Sequence, residues 1–428
     1  MKNGGDTKIH HIIRSNDDAS SSSSLQGSWV KKQMIYNEKH PVVKVSKNAI
    51  TKNGIESATL AHSVVSTYDH RVWSHKITTE GKCTAQKSSG RCWIFACMNV
   101  MRIEMMRKYK GLKDDFELSQ SFVFFYDKLE RANYFLETII DTCEEPLDSR
   151  LVSHLLQNGN LMSDGGQWDM LVNVVTKYGV CPKAAFPDSH AAKASRPMNL
   201  FLRQKLRAFA VQLRSMEPSD KKAMRAAKLK MMEKIYQALV IFLGQPPSTF
   251  EWNYPEAKDQ KSAAVVKSDD TAATKEDGDN KTRTFRKRHT GLTPLRFYKD
   301  FVPFDMDAKI SLINDPRNDY FKMYTVKMLG NVVGGHVVRY INVPIDVLKS
   351  CAATTIADKN LPVWFGCDVG KHKSNDLGAM DTGVRDLDSA FPGLAGVKMT
   401  KEQRLRYGHS LMTHAMVNVF SSQNHACL

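Results

Sequence analysis

Residues 86–96, QKSSGRCWIFA, place a cysteine where a loop of small and polar residues meets an apolar run. If a helix begins at Cys92, its unpaired backbone N–H groups and positive dipole end favour the thiolate over the thiol, and a thiolate is a nucleophile near neutral pH. The side chain of Gln86 can fold back beside the backbone N–H of Cys92 and donate to a developing oxyanion. This segment therefore predicts acyl transfer, with Cys92 as the nucleophile and Gln86 as an oxyanion donor.

The same segment carries a family resemblance. A Gln, five residues and then Cys-Trp-x-Phe, with Trp93 and Phe95 after the cysteine, resembles the nucleophile segment of papain-like cysteine peptidases. The variant SSGRCWIF, together with DGGQWDMLVNVVTKYGV, LPVWFGCDVGKH and SLMTHAM, is similar to the bleomycin hydrolase family over residues 29–416. A buried structural cysteine is the plainer alternative, but packing alone does not require Gln86, Gly90 and Trp93 at these offsets.

This resemblance implies roles for further residues. His414, in the segment MTHAM, corresponds to the base that accepts the thiol proton. The run HAMVNVF can form a strand, and a histidine at its start can face a cleft. Gly165 and Gly166 resemble the paired glycines along which papain-like enzymes lay substrate as an extra strand, and Trp93 joins them as a substrate-binding residue. An ordinary turn before a helix is the alternative interpretation of the two glycines.

Apolar spacing predicts the helices that must hold these residues. Residues 92–109 predict a mostly buried helix, and residues 119–135 predict a second helix that begins after a Ser119 cap. The run DGGQWDMLVNVVTKYGV predicts a third helix that ends at Gly179. Residues 203–234 carry ten Lys or Arg against three acids and predict two amphipathic helices separated near Pro218.

After Leu292 the pattern changes to short runs typical of strands, such as YTVKMLG, HVVRYINVP and LPVWFGCDVG. The predicted fold class is α+β, a papain-like fold with a helical half carrying the cysteine and an incomplete β-barrel half carrying the histidine. The chain is predicted to have three parts: a disordered Ser-rich extension at 1–28, a peptidase domain at 29–416 and a divergent tail at 417–428. Within the peptidase domain we expect a helical half at about 80–245, a flexible insertion at 257–284 and a sheet-rich half at about 292–416.

The sequence departs from the papain-like pattern after His414. No Asn-Ser-Trp-Gly segment follows to orient the imidazole, and Asn418 and Asn424 lie too close to His414 to be assumed substitutes. We therefore expect reduced activity and an exposed apolar edge on the histidine strand. The C-terminal arm that restricts this family to trimming from the amino end is also absent, which leaves aminopeptidase specificity open. The alternative is a truncated, catalytically impaired form that acts only as a binding or assembly partner.

The composition of the chain limits the binding partners and cofactors that we expect. The 61 Lys and Arg residues against 45 Asp and Glu residues give a net charge of +16. This charge suits acidic partners or nonspecific nucleic acid, although solvated lysine-rich helix faces are the explanation with the greater weight. The eight cysteines lack the spacing of a disulfide scaffold or a zinc site, so we expect reduced thiols, no metal and no cofactor. No signal peptide or membrane span is evident, which predicts a cytoplasmic protein. The resemblance implies a homohexamer acting on peptides or peptide-like amides such as bleomycin.

Overall fold

The structure is a computed structural model that describes residues 24–67, 72–156, 161–256 and 285–421. The predicted flexible insertion lies outside the described residues, as does most of the predicted Ser-rich extension.

The chain divides into two units. One contains Met1–His70 and Lys371–Lys398, and the other contains Arg71–Gly370 and Met399–Leu428. The boundaries predicted from sequence, at residues 28 and 416, stay a prediction. Helix already begins at Gly27, inside the predicted extension, and the predicted tail begins with residues that lie in strands.

The helices of the described residues are, in chain order, α1 (Gly27–Lys39), α2 (Pro41–Ala58), α3 (His62–Thr67), α4 (Cys92–Lys108), α5 (Gln120–Asp141), α6 (Arg150–Leu156), α7 (Trp168–Tyr178), α8 (His190–Lys193), α9 (Arg196–Arg214), α10 (Lys221–Leu243), α11 (Pro294–Phe301), α12 (Ile345–Ala357), α13 (Leu387–Ala390) and α14 (Lys401–Arg406), with a short 3-10 helix at Pro392–Leu394.

The strands of the described residues are β1 (His75–Lys76), β2 (Phe250–Glu256), β3 (Phe285–Leu292), β4 (Leu312–Ile313), β5 (Met323–Thr325), β6 (Arg339–Asn342), β7 (Val363–Cys367), β8 (Lys373–Ser374), β9 (Ala379–Met380), β10 (His414–Asn418) and β11 (Phe420–Ser421).

The smaller unit contains α1 to α3, the β8–β9 hairpin, α13 and the 3-10 helix. The N-terminus of α2 is capped by the His40 imidazole, whose Nδ1 accepts a hydrogen bond from the backbone N–H of Val43. The backbone N–H of Ala61 donates to the carbonyl of Val384 and so joins the two chain segments of this unit. Neither α1 nor α2 contains a buried residue.

The helical part of the larger unit confirms the helices predicted from apolar spacing. α4 buries most of its length, as its dense apolar sequence requires. α5 begins after Ser119, whose side chain accepts from the backbone N–H of Phe122 at 3.1 Å. α7 ends at Gly179, where φ is +76° and a side chain would overlap the backbone of Pro294, so only glycine fits. The predicted break near Pro218 separates α9 from α10.

The strands of the larger unit form small sheets. β10 pairs antiparallel with β7, β1 with β11, and β2 with β3, while β6 lies between parallel β4 and antiparallel β5. The predicted strand segments are present, but each is shorter than its apolar run suggests. Residues 326–330 and 336–338 belong to turns or extended loops instead. Helices packed beside short sheets give an α+β architecture.

Candidate active site

Cys92 is the first residue of α4, and its side chain is half-buried. The backbone N–H groups of Ile94 and Phe95 both donate to the carbonyl of Arg91 at 3.0 Å, which starts the helix at the cysteine. The N–H groups of the first turn have no partner within the helix. The rest of the helix is anchored by buried side chains such as Ile94 and Met98, so the sulfur is held at a fixed position.

The residue before the nucleophile is fixed by a buried ion pair. The guanidinium of Arg91 is fully buried and lies 2.9 Å from the Asp188 carboxylate. It also donates to the hydroxyl groups of Ser89 at 3.0 Å and Ser121 at 3.1 Å. Burial would raise the pKa of Asp188, but hydrogen bonds from Ser121 and Arg91 and the charge of Arg91 outweigh it and lower the pKa. The start of α4 is therefore tied to distant parts of the chain.

The strand β10 brings His414 beside the nucleophile. In the antiparallel pair with β7, His414 is opposite Cys367. The backbone nitrogen of Ala415, the next residue, lies 3.4 Å from the Sγ of Cys92. The indole N–H of Trp364 on β7 donates to the carbonyl of Trp93 at 3.1 Å, which ties the strand pair to α4. The predicted nucleophile thus lies against the backbone next to the predicted base, although the two residues are far apart in the sequence.

A cleft of about 350 Å³ contains both residues. One wall carries Gly165 and Gly166, and the turn at residues 326–330 also lines the cleft. Most of the lining side chains are apolar, and the charged ones that the structure describes are the basic residues Arg131 and Lys327. Such a cleft suits an extended chain with uncharged backbone groups and apolar side chains.

The two glycines differ in how tightly they are constrained. A Cβ atom on Gly166 would lie 2.6 Å from the Trp93 ring, whereas one on Gly165 would meet only the Ser163 hydroxyl at 3.8 Å. The carbonyl of Gly165 accepts a hydrogen bond from Arg131 at 2.6 Å. Trp93 lines the cleft but is only 1% exposed, so its ring supports the glycine wall from behind. The substrate-binding roles of these three residues stay predictions.

Asp164 connects the nucleophile loop to the glycine wall. Its carboxylate accepts from the backbone N–H of Gly90 at 3.2 Å, and its own carbonyl accepts from the Trp93 indole at 2.5 Å. Ser195 and Asn199 donate to the same carboxylate. The residue directly precedes Gly165 in the chain. A single residue therefore joins the loop before Cys92 to the wall of the cleft.

The charge of Asp164 is balanced by a buried lysine. The Lys128 ammonium lies 2.7 Å from the Asp164 carboxylate and also donates to the carbonyls of Met162 and Ser163 at 2.9 Å. Burial would raise the pKa of Asp164, but the charge of Lys128 and hydrogen bonds from Lys128, Ser195 and Asn199 reverse the effect and lower the pKa well below its usual range. Burial dominates for Lys128 and lowers its pKa.

Gln86 has a structural contact in addition to its predicted role. Its amide nitrogen donates to the carbonyl of Ser89 at 2.7 Å, and the Ser89 hydroxyl donates back to the Gln86 carbonyl at 2.8 Å. Between them, Lys87 adopts a φ of +57°. Gln86 is not among the described residues that line the cleft. Because an amide nitrogen has two N–H donors, the contact with Ser89 leaves one for an oxyanion, and this role stays a prediction.

Sequence reasoning missed Asp164, Lys128 and Arg131. The signal for Lys128 was available, because a lysine inside the aromatic-rich helix α5 calls for a buried acidic partner. Asp164 begins the motif DGGQWDML, but nothing in its spacing connects it with residues 90 and 93. The side chain of Asn418, on the same strand as His414, accepts a hydrogen bond from the backbone N–H of Phe420 at 3.2 Å. Asn424 lies outside the described residues.

Within the described ranges, no group of three or more His, Cys, Asp or Glu side chains is placed to hold a metal ion. None of the helices in these ranges has both the length and the apolar character needed to cross a bilayer.

Papain-like cysteine peptidases are the class in which a thiol at a helix start and a histidine on a strand line one cleft, and in this chain Cys92 at the start of α4 and His414 on β10 line the same cleft. The model of the Peptidase C1-like family matches residues 25–271 and 275–426. The chain belongs to that family and is a cysteine peptidase.

Named relatives agree with this membership. Bleomycin hydrolase of Rattus norvegicus is 43% identical over 385 residues, which cover 88% of this chain and 78% of the rat protein. Bleomycin hydrolase of Homo sapiens is 42% identical over 405 residues, 92% of this chain and 82% of the human protein. Aminopeptidase C of Listeria monocytogenes is 42% identical over 377 residues, 87% of this chain and 77% of the bacterial protein.

A solved structure shares the fold. The crystal structure of PepW from Lactobacillus rhamnosis HN001 superposes with a TM-score of 0.82 at 35% sequence identity, covering 94% of this chain and 83% of PepW. The fold class predicted from sequence is thereby confirmed.

Proposed function

We propose that this peptidase is of the aminopeptidase type and hydrolyses peptide and peptide-like amide bonds through a Cys92 thioester. The observation that carries the proposal is the 3.4 Å approach of the Cys92 sulfur to the backbone of β10, directly after His414. The names of the relatives, bleomycin hydrolase and aminopeptidase C, support the type of peptidase and the class of substrate.

The reaction follows from the positions of these groups. The thiolate of Cys92 attacks the substrate carbonyl, and the backbone N–H of Cys92 and the amide of Gln86 donate to the resulting oxyanion. His414 protonates the leaving amine, so the C–N bond breaks and a thioester remains. His414 then takes a proton from water, which attacks the thioester and releases the acid and the thiol. The substrate lies along Gly165 and Gly166, where the absence of side chains permits close main-chain pairing.

The test uses an aminoacyl coumarylamide and its N-acetylated analogue. The free-amine compound should be cleaved, the acetylated compound should be cleaved far more slowly, and Cys92→Ala should lower the rate by at least about a thousandfold. Equal rates of cleavage by the wild type and by Cys92→Ala would contradict the proposed mechanism. Equal rates for the two compounds would remove only the aminopeptidase specificity.

From the family resemblance, we propose that the chain assembles as a homohexamer. Helix α1 supports self-association, because its apolar and aromatic side chains Trp29, Met34, Ile35 and Tyr36 are each half or more exposed. Such a patch suits burial against another protein surface. Sedimentation velocity of the full chain should give a species about six times the mass of one chain. A monomer at micromolar concentration would contradict the proposal.

Nonspecific nucleic-acid binding and a cytoplasmic location are lesser proposals. The +16 charge and the basic helices α9 and α10 support binding to phosphate backbones. The described cysteines are free thiols, which fits a reducing compartment. Affinity for duplex DNA should fall steeply as salt rises, and a salt-independent affinity would contradict backbone binding.

A further inference from the structure

Away from the cleft, a lysine amine and a cysteine thiol are in contact. The Nζ of Lys221, the first residue of α10, lies 2.9 Å from the Sγ of Cys143, which follows the end of α5. The same Nζ donates to the carbonyl of Ile140 at 2.6 Å, so the amine is held over the C-terminus of α5. Cys143 is 8% exposed and Lys221 is half-buried, so the contact lies just below the surface.

The backbone around Cys143 is held from a second direction. Arg214, the last residue of α9, donates through its guanidinium to the carbonyl of Thr142 at 2.8 Å and also to the carbonyl of Glu145. The thiol and the amine are therefore positioned by two separate sets of hydrogen bonds. Neither Cys143 nor Lys221 lines the cleft or takes part in the proposed peptidase reaction.

We propose that Cys143 and Lys221 form an oxidation-dependent cross-link in which one oxygen atom bridges Sγ and Nζ. Hydrogen peroxide is the oxidant. The S–H bond and one N–H bond of the neutral amine are lost, and one S–O bond and one N–O bond form. One thiol, one amine and two peroxide molecules give one bridge and three water molecules, with the four electrons leaving the Cys–Lys pair and reducing the peroxide.

The distance favours a bridge over a direct bond. A bent S–O–N unit with ordinary covalent bonds spans nearly the distance that already separates Sγ from Nζ. A direct S–N bond would require the two atoms to approach much more closely, against the hydrogen bond that holds Lys221 to Ile140. The bridge would join residues 78 positions apart and fasten the end of α5 to the start of α10.

Mass spectrometry of the full chain tests this proposal. After mild peroxide treatment and digestion without reductant, we expect a linked peptide pair containing Cys143 and Lys221. Its mass should exceed the sum of the two peptides by one oxygen less two hydrogens, about 14 Da, and a thiol reductant should release it. The melting temperature should rise by several degrees on oxidation, because a cross-link restricts the unfolded chain.

Matched variants separate the bridge from general oxidation. Lys221→Arg keeps the positive charge and a donor for Ile140 but lacks the amine, and Cys143→Ser removes the thiol. Both should keep wild-type peptidase activity, which shows that they fold, and both should lose the linked peptide and the rise in melting temperature. Three results would each overturn the proposal: sulfenic or sulfinic acid on Cys143 with Lys221 free, a directly bonded S–N pair, or an unmodified Cys143 under conditions that oxidise the exposed Cys83 and Cys351.

Discussion

The sulfur of Cys92 lies 3.4 Å from the backbone nitrogen of Ala415, although 323 positions separate the two residues in the chain. This contact places the first turn of α4 against the first residues of β10, so the position of the nucleophile is coupled to that of His414. The contact is held by the core packing of α4 and by the hydrogen bond from Trp364 to Trp93. Changes to these supports should therefore affect the reaction.

Gly166→Ala should raise KM strongly and lower kcat/KM. A Cβ at this position would lie 2.6 Å from the Trp93 ring, so the glycine wall or the ring must shift. Gly165→Ala is the comparison, because its Cβ meets only a hydroxyl at 3.8 Å and so adds a side chain beside the substrate without displacing the Trp93 ring; its loss should be the smaller. Steady-state kinetics on an aminoacyl coumarylamide measure both. Similar losses in the two variants would mean that the close packing of Gly166 on Trp93 does not define the wall.

Gln86→Ala should lower kcat by about a hundredfold while KM changes little, because an oxyanion donor acts mainly in the transition state. Ser89→Ala is the control for a purely structural effect, since it removes a hydroxyl that donates to the Gln86 backbone carbonyl and accepts from Arg91 but leaves the Gln86 amide donor in place. The control should lose only a few-fold in kcat. Equal losses would show that Gln86 only shapes the loop.

Asp164→Asn should destabilise the fold by roughly 3 kcal/mol at neutral pH, because it leaves the buried Lys128 ammonium without its charged partner. Urea unfolding curves measure the change. Asp114→Asn is the control, since the Lys82–Asp114 pair is exposed and should contribute about 0.5 kcal/mol or less. A loss in the Asp164 variant as small as in the control would contradict the importance of this pair.

The stabilisation from Asp164 should also depend on pH. Its pKa in the folded protein is lowered, so the folded state binds the proton more weakly than the unfolded chain does. The contribution of the ionised Asp164 to the free energy of unfolding is therefore complete above the pKa of about 3.9 in the unfolded chain. It is lost as the pH falls toward the pKa in the folded protein. The difference in unfolding free energy between wild type and Asp164→Asn should shrink as the pH falls below about 4. A difference in unfolding free energy that grew as the pH fell would contradict the predicted direction of the pH dependence.

The sequence predicted the parts of the fold that depend on local pattern. The dense apolar run after Cys92, the Ser119 cap and the Gly179 stop each appear where expected, because periodicity, capping and positive φ are properties of neighbouring residues. The strands were overestimated in length, since apolar runs such as YTVKMLG continue into turns that pack on the core.

The supports of the site could not be predicted in the same way. Apart from the contact of Arg91 with the nearby Ser89, the contacts that fix Arg91 and Asp164 join residues 30 to 97 positions apart, so no short motif records them. Only a buried charge such as Lys128 gives a hint, because it requires a partner somewhere in the fold. The resemblance supplied the pairing of Cys92 with His414, and no pattern around His414 alone distinguishes it from a structural histidine.

The rate of alkylation of Cys92 by iodoacetamide across pH, measured by peptide mass spectrometry in wild type and in His414→Ala, tests the central claim most directly. The exposed Cys83 of the same chain serves as the reference thiol. Wild-type Cys92 should react much faster than Cys83 at about pH 6, and His414→Ala should remove most of that advantage. If Cys92 reacted no faster than Cys83, or if His414→Ala left its rate unchanged, the coupled thiol and imidazole would be contradicted.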